Sequence, residues 1–127
     1  MYPESSSGWR LWSSAALLTS HGREILARVH EDYLRAGADV VATDTYQLCE
    51  ASLSGFQGAT VEGLAQLAVE ILDDAVRQYG ARQLQSGGVL SQRKIRKALS
   101  FGPYAVALAD ASEVCFHYQS SMLFEWL

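Results

Sequence analysis

Asparagine is absent from this 127-residue chain, so it carries no N-glycosylation acceptor. Cysteine is scarce. Cys49 and Cys115 stand far apart, without the paired spacing of a zinc knuckle or a redox motif, and read as ordinary reduced, partly buried thiols. Positive charge is in the minority, ten Lys and Arg against fourteen Asp and Glu, for a formal net charge of −4. That balance excludes a general binder of nucleic acid or of acidic membranes, which needs excess cations to displace counterions. No apolar run approaches the length of a membrane span. The first residues, Met1 to Gly8, do not show a basic start followed by an apolar stretch, so the cytoplasm is the default compartment.

What is present is ordinary globular composition, 49% hydrophobic and 19% charged, in a chain long enough for one domain with a sizeable core. Residues 1–10 read as a flexible leader and residues 11–127 as the domain. Trp9 to Leu18 is an apolar stretch with two tryptophans and mixed period, suited to packing against a core or an interface.

Ser20 is a plausible N-cap for a helix from His21 to Ala36, with Ile25, Leu26, Val29, Tyr33 and Leu34 on one face and charged residues largely on the other. His30 lies beside that apolar face and reads as a packed histidine. Gly37 supplies a left-handed C-terminal position, and Asp39 to Thr43 leaves as a short β-branched strand with a polar far end. In α/β proteins the carboxyl ends of parallel strands are where ligands sit.

Leu48 to Ala59 is a long connection, of a kind that is often functional. Thr60 caps a second helix, Val61 to Tyr79, in which Leu64, Leu67, Ala68, Ile71, Leu72, Ala75 and Val76 recur at steps of three and four. Gly80 is expected to end it, Ala81 to Gln92 to form a mobile surface loop, and the basic run Arg93 to Lys97 to be a solvated strand entrance. Ala98 to Pro103 reads as a second strand, closed by a proline that cannot donate to a sheet ladder. Strand, helix and strand together make a right-handed parallel crossover. Tyr104 to Leu127 has no clean period.

Several of these stretches resemble one family, the homocysteine S-methyltransferases. Leu11-Trp12-Ser13 is similar to the family's Leu-Trp-Ser, and Val29 to Val40 to its first helix and the start of its second strand. Thr43-Asp44-Thr45-Tyr46-Gln47 resembles its Thr-x-Thr-Tyr-Gln strand end. Ser100-Phe101-Gly102-Pro103-Tyr104 and Ala109-Asp110-Ala111-Ser112-Glu113 resemble its Ser-x-Gly-Pro-Tyr and Ala-Asp-Gly-Ser-Glu segments. Together, these ordered matches across residues 11–113 are far more specific than any one of them.

The resemblance implies a (β/α)8 TIM-type barrel with parallel strands, of which this chain is about the first half, with catalysis at the carboxyl ends of the strands. It implies transfer of a methyl group from a sulfonium donor, S-methylmethionine or S-adenosylmethionine, to homocysteine to give methionine. It also implies a zinc ion held by three late cysteines, which keeps the homocysteine thiol ionised and nucleophilic. By the same resemblance Trp12 and Ser13 lie near the donor, where an aromatic face suits a sulfonium. Thr43, Asp44, Thr45 and Tyr46 line the homocysteine pocket, and Ser100 and Gly102 stand with Pro103 at the third-strand end. Asp44 replaces the small residue or asparagine common at its place; it serves either a substrate amino group or loop amides.

The family's Asp-Gly-Gly triplet and Gly-Gly-Cys-Cys pair do not occur in this sequence, and neither Cys49 nor Cys115 aligns with a zinc ligand. The expectation is therefore a truncated barrel without methyl transfer of its own and with no metal site, whose unpaired strand edges favour association. The alternatives are a non-catalytic partner of a full-length barrel, bound through its exposed sheet edge, and a small flavodoxin-like module, for which a Gly-rich phosphate turn is missing.

Overall fold

The computed structural model describes residues 8–85 and 94–102. In chain order it comprises a 3-10 segment (Gly8–Leu18), helix α1 (Ser20–Ala36), strand β1 (Val40–Ala42), helix α2 (Val61–Gln85) and strand β2 (Arg96–Ala98). The leader expected at 1–10 lies mostly outside the described residues, as do Pro103, Cys115 and the whole of Tyr104 to Leu127.

The apolar stretch with two tryptophans folds as tight 3-10 turns broken at Trp12, whose φ of 45° is a left-handed value that a bulky side chain adopts only under constraint. The turns bury Leu11, Ser14 and Leu17. Helix α1 starts one residue earlier than expected: Thr19, in extended conformation, is the cap, and its hydroxyl accepts the Gly22 amide at 3.0 Å. Ser20 is already helical. Both residues satisfy the chemistry of a cap, and the backbone conformation decides between them. At the other end Gly37 sits at φ 103° and donates to Leu34, while Ala38 donates to Tyr33, closing the helix as its left-handed glycine predicts.

Two small clusters hold the layers together. Leu17, Leu26 and Ala68 join the 3-10 segment to both helices, with Ala16, Leu64 and Ile71 packed around them. Leu34, Val41 and Leu72 join the helices to the sheet, with Val76, Tyr79 and Ile95 alongside. The α1 face is thereby rotated from the expected one. Leu26, His30 and Leu34 are buried, whereas Ile25, Val29 and Tyr33 are 40%, 41% and 62% exposed. An apolar stripe wider than 100° presents two sides, and only the neighbouring elements select which is covered.

Helix α2 begins as expected, with Thr60 accepting the amides of Gly63 at its hydroxyl and Leu64 at its carbonyl. It does not stop at Gly80 but runs on to Gln85, so residues 81–85 of the expected loop are helical. One glycine inside a helix costs only about 1 kcal/mol. The added turn carries Arg82 to a salt bridge with Glu31 on α1, the same carboxylate that Arg35 reaches at 2.8 Å. The rest of that expected loop, 86–92, is outside the described residues.

Strand β1 pairs with β2 in parallel, Val40 opposite Arg96, Val41 opposite Lys97 and Ala42 opposite Ala98. The second strand is therefore displaced toward the basic run: Arg96 and Lys97 belong to the ladder, and Leu99 to Gly102 lie beyond it. Lys97 takes its charge out of the sheet to Asp73 on α2 at 2.6 Å, which makes a lysine tolerable in the strand.

Candidate functional site

Beyond the carboxyl ends of β1 and β2 the chain ties itself together through hydroxyls. Thr43 and Thr45 are each 5% exposed, and their Oγ1 atoms share a hydrogen bond of 2.8 Å. Thr45 Oγ1 donates to the Ser100 carbonyl at 2.6 Å, and the Ser100 amide donates to Thr43 Oγ1 at 3.0 Å. A run of alternating hydroxyls thus continues the parallel ladder one step past its backbone bonds. These threonines and Ser100 come together, but their polar groups are spent on the scaffold. Tyr46 is 41% exposed, and neither it nor Gly102 lines the groove that Thr43 and Asp44 share.

A second junction links the 3-10 segment to the same strand end. Ser13 Oγ donates to Asp44 Oδ1 at 2.5 Å, and Ser14 Oγ donates to the Asp44 carbonyl at 2.8 Å. Of the two partners expected for Asp44, a substrate amino group or loop amides, loop amides do not reach its carboxylate among the described residues; the Ser13 hydroxyl from the Trp12 turn takes one carboxylate oxygen. Asp44 Oδ2 is shielded from solvent and has no hydrogen-bond partner among the described residues. Such an acceptor, desolvated and unpaired, costs more than a satisfied one and marks a place where a donor fits.

Trp12, Ser13, Thr43 and Asp44 line one groove of about 520 Å³, which runs from the strand end along the side of β1 beneath α1. Its walls are mainly apolar, Ile25, Val29, Tyr33 and Val40 among them, with His30 and Asp44 at the polar end. Trp12 is 65% exposed at the mouth, the indole presented by the strained turn. His30 is the packed histidine expected from its position. Burial pushes its imidazole below the usual 6.5, and the Asp44 carboxylate partly offsets this. Ser14 and His30 are the site residues that motif reading passed over. Ser14 follows directly on the Leu-Trp-Ser match, and the one signal for His30 was its place on α1.

No group of three or more His, Cys, Asp or Glu among the described residues is placed to hold a metal ion. Cys49 is a free, half-buried thiol in the long connection after β1. Among the described residues the zinc that the resemblance implies has no fitting ligand set, and no chemical step is derived through it. Among the described residues no helix is long and apolar enough to cross a membrane.

The family profile described as homocysteine S-methyltransferase matches residues 3–126. Homocysteine S-methyltransferase 2 of Arabidopsis thaliana is 35% identical over 126 residues, covering 92% of this chain and 36% of that protein. Selenocysteine Se-methyltransferase of Brassica oleracea var. italica is 36% identical, covering 92% of this chain and 34% of its own length. The crystal structure of the homocysteine methyltransferase MmuM from Escherichia coli, in its metallated form, superposes with a TM-score of 0.67 at 34% identity, over 87% of this chain and 36% of that one. The chain spans about a third of the length of the relatives it matches. Its parallel strands, crossover helix and α1 are part of a (β/α)8 barrel, and the chain belongs to the homocysteine S-methyltransferase family.

Proposed function

We propose that this chain forms one wall of a methyl-transfer site, in which a homocysteine-like amino acid lies against the carboxyl end of β1 and a sulfonium donor against the indole of Trp12. The observation that carries this reading is the Ser13–Asp44 hydrogen bond, which docks the Trp12 turn onto the strand end and so makes one site of two separate motifs. Both substrates of such a reaction carry an ammonium group, and the unpaired Oδ2 of Asp44 is an acceptor for one. The exposed indole face of Trp12 attracts a sulfonium through the ring quadrupole. Thr43, Thr45 and Ser100 act as positioning residues, holding the two strand ends in register; Tyr46 and Gly102 flank them.

Catalysis by this chain alone is not part of the proposal, because its two cysteines cannot supply a three-thiolate zinc site. The test is calorimetry with homocysteine and S-methylmethionine, then a methyl-transfer assay with added zinc. Binding that weakens about tenfold or more in Asp44→Asn, with no turnover, supports the reading. Turnover well above background, or binding indifferent to Asp44 and Trp12, overturns it.

A second reading is favoured by the side of β1 away from β2, which has no strand neighbour among the described residues: a non-catalytic partner that associates with a full-length barrel enzyme through its sheet edge. Co-purification with such an enzyme supports it; a chain that stays monomeric in its presence opposes it.

A further inference from the structure

Among the described residues His30 is the one buried ionisable side chain, and the methyl-transfer reading gives it no part. It is 6% exposed, set on α1 between the buried Leu26 and Leu34, and it lines the same cavity as Asp44. Desolvation disfavours the imidazolium there and the Asp44 carboxylate favours it, so the charge of Asp44 is what supports a proton on His30. The surrounding elements bring no rival charge to that lining. The 3-10 segment contributes Trp12, Ser13 and Ala16, β1 contributes aliphatic side chains, and Tyr33 on α1 itself is the other titratable group. Glu31, next in sequence, is taken by Arg35 and Arg82. Helix α2 adds nothing to the lining: Asp73 holds Lys97, Asp74 holds Arg77, Glu70 accepts from Gln66, and Glu62 is exposed in the first turn.

The two oxygens of that carboxylate differ. Oδ1 takes the Ser13 hydroxyl, whereas Oδ2 is shielded from solvent and unpaired among the described residues. An ammonium seated on Oδ2 brings a second positive charge to the imidazole's one supporting anion, in surroundings where charges are screened less than in water. We propose that His30 makes this site proton-linked: a ligand's ammonium and a proton on the imidazole compete for the single charge of Asp44, so that binding releases the proton to solvent and protonation opposes binding. Resting on the methyl-transfer reading, this linkage adds a residue which that reading does not use. Its sign follows from the competition. Neutral imidazole admits the ammonium, so affinity is full above the ordinary histidine range and falls as pH drops below it. Because linkage is reciprocal, the His30 titration moves down by the same factor when the ligand is bound.

The probe is homocysteine, whose own ammonium and carboxylate keep their charges between about pH 5 and about pH 7, where histidine titrates. The His30 imidazole of the purified chain is titrated by NMR, free and with homocysteine saturating; His21→Gln and His117→Gln assign its resonance by elimination. Calorimetry in buffers of different ionisation enthalpy counts the protons released on binding. The expected result is a His30 midpoint that falls on binding by the equivalent of about fivefold coupling or more, with weaker binding and proton release at the acid end. In His30→Gln the proton release disappears and the affinity is level across the range. An unmoved midpoint, or a pH dependence that persists in His30→Gln, overturns the proposal. Where circular dichroism shows that His30→Gln does not fold, the titration of the unmodified imidazole decides. Homocysteine that binds through Asp44 with one affinity across the range refutes the linkage while leaving the methyl-transfer reading intact; absence of binding at every pH refutes both.

Discussion

Substituting Gly22 sets two known effects against each other, and the structure decides the sign. Helix propensity favours Gly22→Ala by up to about 1 kcal/mol, because glycine is the costlier residue in a helix. Yet a Cβ at this position would stand 2.2 Å from the Ala16 carbonyl oxygen, 2.6 Å from its Cα and 2.8 Å from its carbonyl carbon. All three are backbone atoms, so no side-chain rotation relieves the contact. The 3-10 segment must move away from α1, and Ala16 is packed on the cluster of Leu17, Leu26 and Ala68. Overpacking of this kind costs about 1–3 kcal/mol even where neighbours can adjust. With contacts this short the upper part of that range applies, so a net destabilisation of about 1–2 kcal/mol remains after the propensity gain. Urea unfolding followed by circular dichroism measures it as a lower midpoint at unchanged slope. Equal or greater stability in Gly22→Ala would refute the close approach of the 3-10 segment to α1, and with it the path that carries Ser13 and Ser14 to Asp44.

Leu72→Ala empties the centre of the cluster shared by Leu34 and Val41; at 1% exposure it should cost about 2–5 kcal/mol in the same unfolding assay. Thr45→Val strands the Ser100 carbonyl and the Thr43 hydroxyl, and is expected to destabilise by about 1–3 kcal/mol and to speed exchange of the Ser100 amide. His30 adds a pH dependence. Its imidazole accepts a proton near 6.5 when unfolded and only at lower pH when folded, so the unfolded state binds more protons between those values. Stability from His30 is complete above 6.5 and declines as pH falls through that window, which unfolding midpoints at successive pH values reveal. In Asp44→Asn the imidazole loses the carboxylate that favours its proton, and its titration by NMR should move further down.

Legibility varied with the range of the interaction. The left-handed glycine after α1, the Thr60 cap and the strand at Val40 to Ala42 depend on a few neighbouring residues, and they are where the residue types put them. Cap choice between Thr19 and Ser20 turned on one backbone conformation. The passage of α2 through Gly80 turned on partners across α1, and the place of β2 turned on pairing rather than on apolarity.

By itself the sequence determined the kind of chain this is: an acidic α/β unit with a parallel crossover and the ordered motifs of one methyltransferase family, because those properties reside in local composition and spacing. Only tertiary structure decided which side of α1 is covered, that the threonine hydroxyls are spent between the strand ends, and that Asp44 keeps one unpaired oxygen. Those outcomes depend on which groups meet across separations of some thirty to sixty residues, where burial and hydrogen bonding compete for the same side chains. No periodicity in the chain encodes the result of that competition.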